Sequence, residues 1–451
     1  MTIVATAPEV HPGRRQPVVP RLLAGPASRE SGARQAALYQ HERRFGPLPL
    51  PRVARNPGGE SARRAAARLI DVVERSGLTG RGGAGFPSGR KLRSVASAEG
   101  PAVVVANGSE GEPASGKDRL LLRRAPHLVL DGISLAAFAV GATEAYLVVH
   151  GRDARLVASL QAAVQAREVA GIDQVAIDVV GIEDRYVASE QSAVVDWING
   201  GPGLPTFAPP RTHERGAGGR PTAVNNVETL AHLALIARYG EDWFREAGTP
   251  RAPGTALVTI SGAIARAGVY EIELDTPIGD ILMQAGGPTE LPKAVLVGGY
   301  FGTWLPADVA WPAPWSHPGL RSVGGAMGAG VLIVLPESSC GLAETARAVG
   351  YLARESAGQC GPCVFGLPAL ARALADLAYR GRLGDAVDRI AGLIPLIEGR
   401  GACRHPDGAT QLAASALAVF GRDARAHDFA GPCFGIRSSP LLPIPGGSAS
   451  S

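Results

Sequence analysis

Gly77-Leu78-Thr79-Gly80-Arg81-Gly82-Gly83-Ala84-Gly85-Phe86-Pro87-Ser88-Gly89-Arg90-Lys91 is the run on which the reading of the fold turns. Glycines lack Cβ, so backbone N–H groups here can approach a phosphate or a flat ring, and a lysine closes the run. Gly80, Gly82 and Gly85 also fit the spacing of the dinucleotide fingerprint, which requires a strand before the glycines. The stretch 61–75 instead carries Leu69, Ile70, Val72 and Val73 among alanines and charges. It predicts a helix that Gly77 ends, the wrong context for a Rossmann turn. On this run alone, a phosphate-holding loop and a plain surface loop both remain open.

A second loop lies close by in sequence: Asn107-Gly108-Ser109-Glu110-Gly111-Glu112-Pro113, followed by Lys117-Asp118-Arg119. It adds carboxylates to the lysine-closed run, a combination suited to a phosphorylated, ring-bearing cofactor. Lysine usage points the same way. The chain has 45 basic residues, yet lysine occurs only at 91, 117 and 293, and two of the three fall in these loops. A compact ammonium and a planar guanidinium are not interchangeable there.

Composition bounds the rest. A chain of 451 residues, 45% hydrophobic and 19% charged, holds two or three globular domains. A net charge of +4 gives no reason to expect a nucleic-acid partner. No apolar run approaches the roughly 18 residues of a membrane span, and no secretion signal is evident. Five unevenly placed cysteines make no disulfide framework, so a reducing cytoplasm is expected.

Residues 1–58 read as an irregular arm with one helix near 33–45. Residues 59–250 form one unit, alternating over 61–200: helix, glycine loop, buried strand at 102–106, second loop, helix at 127–140, strand at 145–150, helix at 154–169, strand at 175–180. That alternation predicts an α/β domain with a mainly parallel sheet. A short helix is expected to open at Asn225-Asn226-Val227-Glu228-Thr229. Residues 251–338 predict short strands with one small helix at 278–285, a β-grasp-like unit. Residues 339–428 predict helices at 343–356, 367–380, 383–398 and 409–425, a small bundle. Residues 429–451 are expected to be disordered.

Cys360-Gly361-Pro362-Cys363 lies between the first two helices of the bundle, and Cys403 between the third and fourth. A CxxC with a distant cysteine suits a metal or an iron–sulfur cluster, although three thiolates are one short of the usual four. A simple thiol pair with an unrelated Cys403 stays open on spacing alone. Cys340 and Cys433 are expected to be unrelated to this set, as are His127 and His150, which read as structural histidines.

Taken together the motifs resemble the NADH-binding flavoprotein subunit of respiratory complex I, shared with NAD-reducing hydrogenases and formate dehydrogenases, over roughly 60–425. The family's GRGGAGFPxGxKW matches Gly80 to Lys91, with Leu92 in place of the Trp. Its NADExEP…KDR matches Asn107, Glu110, Glu112, Pro113, Lys117, Asp118 and Arg119. Its GEETA appears as Ser189-Glu190-Gln191-Ser192-Ala193, its KPTxxNNVETLA as Arg220 to Ala231, and its ESCGxCxPCxxG as Glu355 to Gly366. The resemblance implies an FMN-binding α/β domain, then a β-grasp (SLBB-like) domain, then a helical iron–sulfur domain. It implies that Gly80, Arg81, Gly82, Gly83, Lys91, Asn107, Glu110, Glu190, Asn225 and Asn226 hold FMN, with Lys91 at its phosphate. Phe86 and Glu112 would face NAD(P)H, Glu112 as the catalytic carboxylate. Cys360, Cys363 and Cys403 would ligate a 4Fe-4S-type cluster. A ferredoxin-like 2Fe-2S companion in a hetero-oligomer, cytoplasmic or peripheral to a membrane complex, follows from the same likeness.

The departures set the alternatives. Ala357 stands where the family has its first cluster cysteine, which leaves open a substitute ligand from Ser356 or an outside thiol, an incomplete cluster, or none. Gly108 and Ser109 make the second loop closer to that of Rnf-complex C subunits. Gln191 replaces a glutamate, and Ser94, Ala208 and Arg211 stand where the family tends to place aromatic or lysine side chains around the adenine. Three functions are therefore weighed: an NAD(P)H-oxidising flavoprotein subunit, an FMN/Fe–S relay or scaffold that has lost NADH chemistry, and a non-redox binding protein of the same fold.

Overall fold

The computed structural model describes residues 21–23, 34–50 and 59–445. Within the N-terminal arm, the helix Arg34–Phe45 forms where the sequence predicts one, and most of the rest of the arm lies outside the described residues. His41 of this helix meets Asp131 at 2.7 Å and so docks it on the α/β unit.

The helix before the first glycine loop spans Glu60–Ser76 and ends at Gly77, whose φ of 75° lets its N–H reach the Glu74 carbonyl. Four parallel strands follow: β1 Ala102–Asn107, β2 Ala142–His150, β3 Ala176–Ile182 and β4 Thr222–Asn226, in the order β3-β2-β1-β4. Central β1 is Ala-Val-Val-Val-Ala followed by a half-exposed Asn, the apolar run of a strand covered on both faces. The helix Pro126–Val140, buried almost throughout, packs against Val227–Arg245 on one face of the sheet. The helix opening at Val227 is not the short one expected; it runs 19 residues, with Gly240 at φ 86° breaking its regularity.

A two-residue pair, β5 Gly248–Thr249 and β6 Ala252–Pro253, leads to the second sheet. Its strands are β7 Thr255–Gly262, β8 Gly268–Glu273, β9 Pro292–Val297, β10 Thr303–Pro306 and β11 Val331–Pro336, ordered β10-β9-β11-β7-β8. β7 and β11 are parallel and the other pairs antiparallel, and the helix Ile278–Gln284 buries Ile278, Ile281 and Leu282 against the sheet. β10 escaped the sequence reading because four residues among glycines and prolines give no alternation to detect. Its Trp304 indole donates to Thr345 Oγ1 at 3.0 Å, joining the sheet to the helical region.

The helical region comprises Gly341–Arg354, Leu367–Ala375 continuing to Arg380, Ala386–Ile397, His405–Val419 and Gly421–Ala430. The single last helix expected over 409–425 is thus two. Phe420 leaves helical geometry (ψ 23°) to bury its ring beside Trp304, and Gly421 starts the next helix. The tail expected to be disordered is ordered through Pro445, which corrects that expectation. Leu442 is buried, the Leu441 and Leu442 amides donate to Glu344, and Pro443 O accepts from the Tyr300 hydroxyl. Composition hid this because prolines contribute backbone carbonyls and apolar surface without helical or strand periodicity.

Candidate functional site

Asn107 and Asn226 are register partners at the carboxyl ends of β1 and β4, and both glycine loops gather above them. Ligands of open parallel sheets bind at this edge. The loops line a cavity of about 610 Å³, together with Gly298, Phe301, Ala326, Gly328 and Ala329 from the β-grasp unit and Cys403, Arg404 and His405 from the helical region. All three units therefore contribute walls to one cavity.

The first loop offers bare backbone to it. Gly82 packs so that an added Cβ would lie 3.3 Å from Asn226 Cβ, and Gly85, at φ 63°, would put one 2.3 Å from the His317 ring. Lys91, on the helix Ser88–Ala96, lines the cavity and donates from Nζ to the Val224 carbonyl at 2.9 Å. Burial lowers its pKa. The Arg81 guanidinium donates to Thr255 O and Thr79 O, and the Arg81 amide donates to Thr229 Oγ1. Arg81 lines the cavity and pins the loop to the start of β7.

Several of the other expected residues are also framework. Asn107 donates to Ser189 O and accepts from Ser109 N and Oγ. Glu110 accepts from Ser115 Oγ at 2.5 Å and from the Asp118 and Arg119 amides, so it caps the helix Lys117–Arg124. Burial, then the Asp118 charge, raises its pKa. Glu190 caps the helix Gln191–Ile198 through the Ser192 and Ala193 amides. Asn226 caps Val227–Arg245 and donates to Asp118 at 2.7 Å. Lys117 does not serve as a second anion hook. Burial alone would lower its pKa, but Asp118 at 2.7 Å and Glu228 at 2.9 Å outweigh it and hold the ammonium above its ordinary value.

Glu112 is buried in the cavity wall. It accepts from Tyr300 N at 2.7 Å, Ala114 N at 3.2 Å and the Tyr186 hydroxyl at 3.2 Å. Burial raises its pKa to about 7 against those three donors. Phe86 stands half exposed at the mouth, an apolar face open to a second ring.

Three cavity-lining residues carry buried polar atoms with no partner: Ser88 Oγ, Asn225 Nδ2 and His405 Nδ1. Buried polar atoms are normally paired, so these orphans together with Lys91 and the bare glycines fit a polar, phosphate-bearing group. The wall from the β-grasp unit was missed on sequence. Its signal was present as two glycine-dense runs, Gly298-Gly299-Tyr300-Phe301-Gly302 and Gly324 to Gly330. Tyr186 carried no such signal. Ser94, Ala208 and Arg211, expected near an adenine, are exposed and do not line the cavity.

Cys360 and Cys363 Sγ lie 3.6 Å apart, and the Ala402 amide beside Cys403 donates to Cys360. The two inter-helix connections therefore meet here. Burial raises the Cys363 thiol to about 12, with Cys360 adding to it, whereas backbone donors outweigh burial at Cys360 and lower its pKa. Ala357 offers no ligand atom. Among the described residues these thiols do not form a set of three within 4.8 Å of one another; that arrangement belongs to Cys340, His427 and Cys433 elsewhere in the helical region. An iron–sulfur cluster would take these cysteines as thiolate ligands. Cys403 also lines the cavity that holds Lys91, so the thiol set and the cavity share a wall.

The chain also matches known proteins. A family profile described as the Nuo51 FMN-binding domain matches residues 73–235, an SLBB domain matches 257–299, and the NADH-ubiquinone oxidoreductase-F iron-sulfur binding region matches 338–427. The F subunit of NADH-quinone oxidoreductase from Streptomyces coelicolor is 32% identical over 390 residues, covering 83% of this chain and 86% of that protein. A NADH-quinone oxidoreductase F subunit from Rhizobium meliloti is 31% identical over 375 residues, covering 80% and 88%. The crystal structure of an NAD+-reducing NiFe-hydrogenase in its H2-reduced state superposes with a TM-score of 0.74 at 29% identity. The match covers 85% of this chain and 66% of the hydrogenase chain, so this chain spans about two-thirds of that protein.

Proposed function

The chain belongs to the family of NADH-quinone oxidoreductase F subunits, and on that premise we propose that it takes a hydride from NADH or NADPH at FMN and passes electrons singly to its iron–sulfur site. When bound, FMN supplies the conversion of a two-electron donor into one-electron steps, and the protein's part is binding, orientation and electrostatics. Lys91 holds the phosphate, as a point charge suits. The Gly80, Gly82 and Gly83 backbone lies against the cofactor, and Asn225 Nδ2 and Ser88 Oγ meet its polar edges. Arg81, Asn107, Glu110, Glu190 and Asn226 act as the frame that keeps the loops in place. Phe86 would cover the nicotinamide nucleotide at the mouth, and Glu112, held by three donors, would serve as the carboxylate toward it. Cys360, Cys363 and Cys403 hold the cluster, with the corner at Ala357 left without a protein thiolate. The flavin unit is placed at 59–250, the β-grasp unit at 251–338 and the cluster unit at 339–428.

The observation that carries this reading is that Cys403 and Lys91 line one cavity. A cofactor held by Lys91 would then share its cavity with a cluster thiol. Among the described residues no helix is long and apolar enough to cross a membrane. We place the protein in the cytoplasm as one subunit of a hetero-oligomer, with a ferredoxin-like 2Fe-2S protein as its electron acceptor. A second reading, an FMN/Fe–S relay with another donor, is favoured by the exposure of Ser94, Ala208 and Arg211 outside the cavity. Anaerobic stopped-flow mixing of the FMN-loaded protein with NADH or NADPH separates the two. Rapid loss of flavin absorbance with either nucleotide supports the dehydrogenase. A flavin that stays oxidised with both, yet bleaches with dithionite, selects the relay.

A further inference from the structure

Outside the flavin cavity and its cluster, one other constellation among the described residues has ligand chemistry. Cys340 is the N-cap of the helix Gly341–Arg354, and its Sγ accepts the Ala343 amide at 3.4 Å. His427 lies on Gly421–Ala430, and Cys433 begins the closing segment. The two sulfurs and the imidazole nitrogen all lie within 4.8 Å of one another, with Cys340 Sγ 3.9 Å from His427 Nε2. Cys340 and His427 are buried, and Cys433 is half-buried. None of the three belongs to the Cys360, Cys363 and Cys403 set.

We propose that Cys340, His427 and Cys433 form a binding site for a thiophilic divalent cation, zinc above all, separate from the iron–sulfur cluster. Two thiolates and an imidazole make a recurrent zinc donor set. With Zn–S near 2.3 Å and Zn–N near 2.0–2.1 Å in tetrahedral geometry, sulfur and nitrogen stand roughly 3.5 Å apart. The observed 3.9 Å therefore needs only a small closure. The imidazole is oriented for the task. His427 Nδ1 faces the Leu377 carbonyl at 3.2 Å, which only a protonated nitrogen can satisfy, so the lone pair is on Nε2. Nε2 at present accepts the Cys433 amide at 3.0 Å, and the cation takes over that lone pair. Binding releases one proton from each thiol to solvent and leaves two thiolate bonds and one imidazole bond to the metal. The half-exposed side at Cys433 leaves room for a water as fourth ligand.

The site has a structural consequence for the cavity wall. Cys433 anchors the segment in which Leu441 and Leu442 dock on Glu344 and Pro443 accepts from Tyr300, whose own amide holds Glu112. A metal at Cys433 thus pins the segment that backs Glu112.

The test is metal analysis of the full chain purified anaerobically from zinc-replete cells. One zinc per chain is expected, retained in a Cys360→Ser/Cys363→Ser variant and lost to background in Cys433→Ser and Cys340→Ser. Because a cysteine variant can fail to fold, metal-depleted Cys360→Ser/Cys363→Ser protein, with Cys340, His427 and Cys433 intact, is also titrated with Co2+. Thiolate-to-cobalt charge-transfer absorption saturating at one equivalent is expected. Chelation should also speed protease cleavage after Ala430 several-fold. A zinc-free wild type with no cobalt–thiolate absorption overturns the proposal. So does zinc unchanged in Cys433→Ser, or a Cys340–Cys433 disulfide in the unreduced mass spectrum of freshly purified protein.

Discussion

Replacing Lys91 by methionine keeps the aliphatic stem and removes the ammonium, which isolates the charge. Nζ is mostly buried, has the Val224 carbonyl as one partner at 2.9 Å, and has donor capacity left for an anion in the cavity. A charge-assisted hydrogen bond to a phosphate in such a place contributes about 1.5–3 kcal/mol. At about 1.4 kcal/mol per decade, that is a rise of roughly 10- to 150-fold in the FMN dissociation constant. The assay is quenching of flavin fluorescence on titrating apo-protein, run in parallel with FMN and with riboflavin, which lacks the phosphate. Riboflavin affinity should stay within about twofold, because Lys91 is asked only to meet the phosphate. If FMN affinity is unchanged, or both flavins weaken equally, the placement of the phosphate at Lys91 is wrong.

Three further outcomes follow from the same geometry. Gly85→Ala forces a side chain into φ 63° and against the His317 ring, so beyond the roughly 1–2 kcal/mol of left-handed strain it should disorder the loop; FMN retention on gel filtration and the melting temperature both fall. Glu112 has a folded pKa of about 7, above its ordinary 4.5, so the folded state binds the extra proton and loses stability as pH rises through that window. Glu112→Gln should flatten the loss, worth at most about 3 kcal/mol, in chemical denaturation between pH 4.5 and 7. Asp131 is buried against His41, Arg167 and Arg238, which outweigh burial and lower its pKa to about 2. Its stabilisation is present above the ordinary 3.8 and lost as pH falls through 2; Asp131→Ala should cost about 3–5 kcal/mol at neutral pH, read by denaturant midpoint.

The parallel sheet was legible because β1 to β3 are largely apolar runs separated by helices; its order was not, and β4, Thr-Ala-Val-Asn-Asn, is too short and too polar to stand out from the connection before it. Lys91 was legible because its residue type is rare in this chain. Its neighbours show why the rest was not. Arg81 and Glu110 fall inside motifs that read as cofactor contacts, yet one side chain is spent on the Thr255 carbonyl and the other on helix amides. Sequence gives the type and place of a polar group but not which of several partners it reaches. The wall from Gly298 and Gly328 arises from a domain that comes more than a hundred residues after the first loop, so no local pattern joins them. Cys340 and Cys433 stood far apart in sequence and in different compositional settings. Only the break at Phe420, which sends Gly421–Ala430 back past Leu377, brings His427 between them.

The most direct measurement is anaerobic EPR of the protein carrying one FMN and its iron, recorded before and after one equivalent of NADH or NADPH. The cavity shared by Lys91 and Cys403 predicts that the flavin bleaches and an iron–sulfur signal changes in the same sample, and that Cys403→Ser abolishes the iron signal while the flavin still bleaches. A protein that takes up neither FMN nor iron, or whose iron signal ignores a fully reduced flavin, contradicts it.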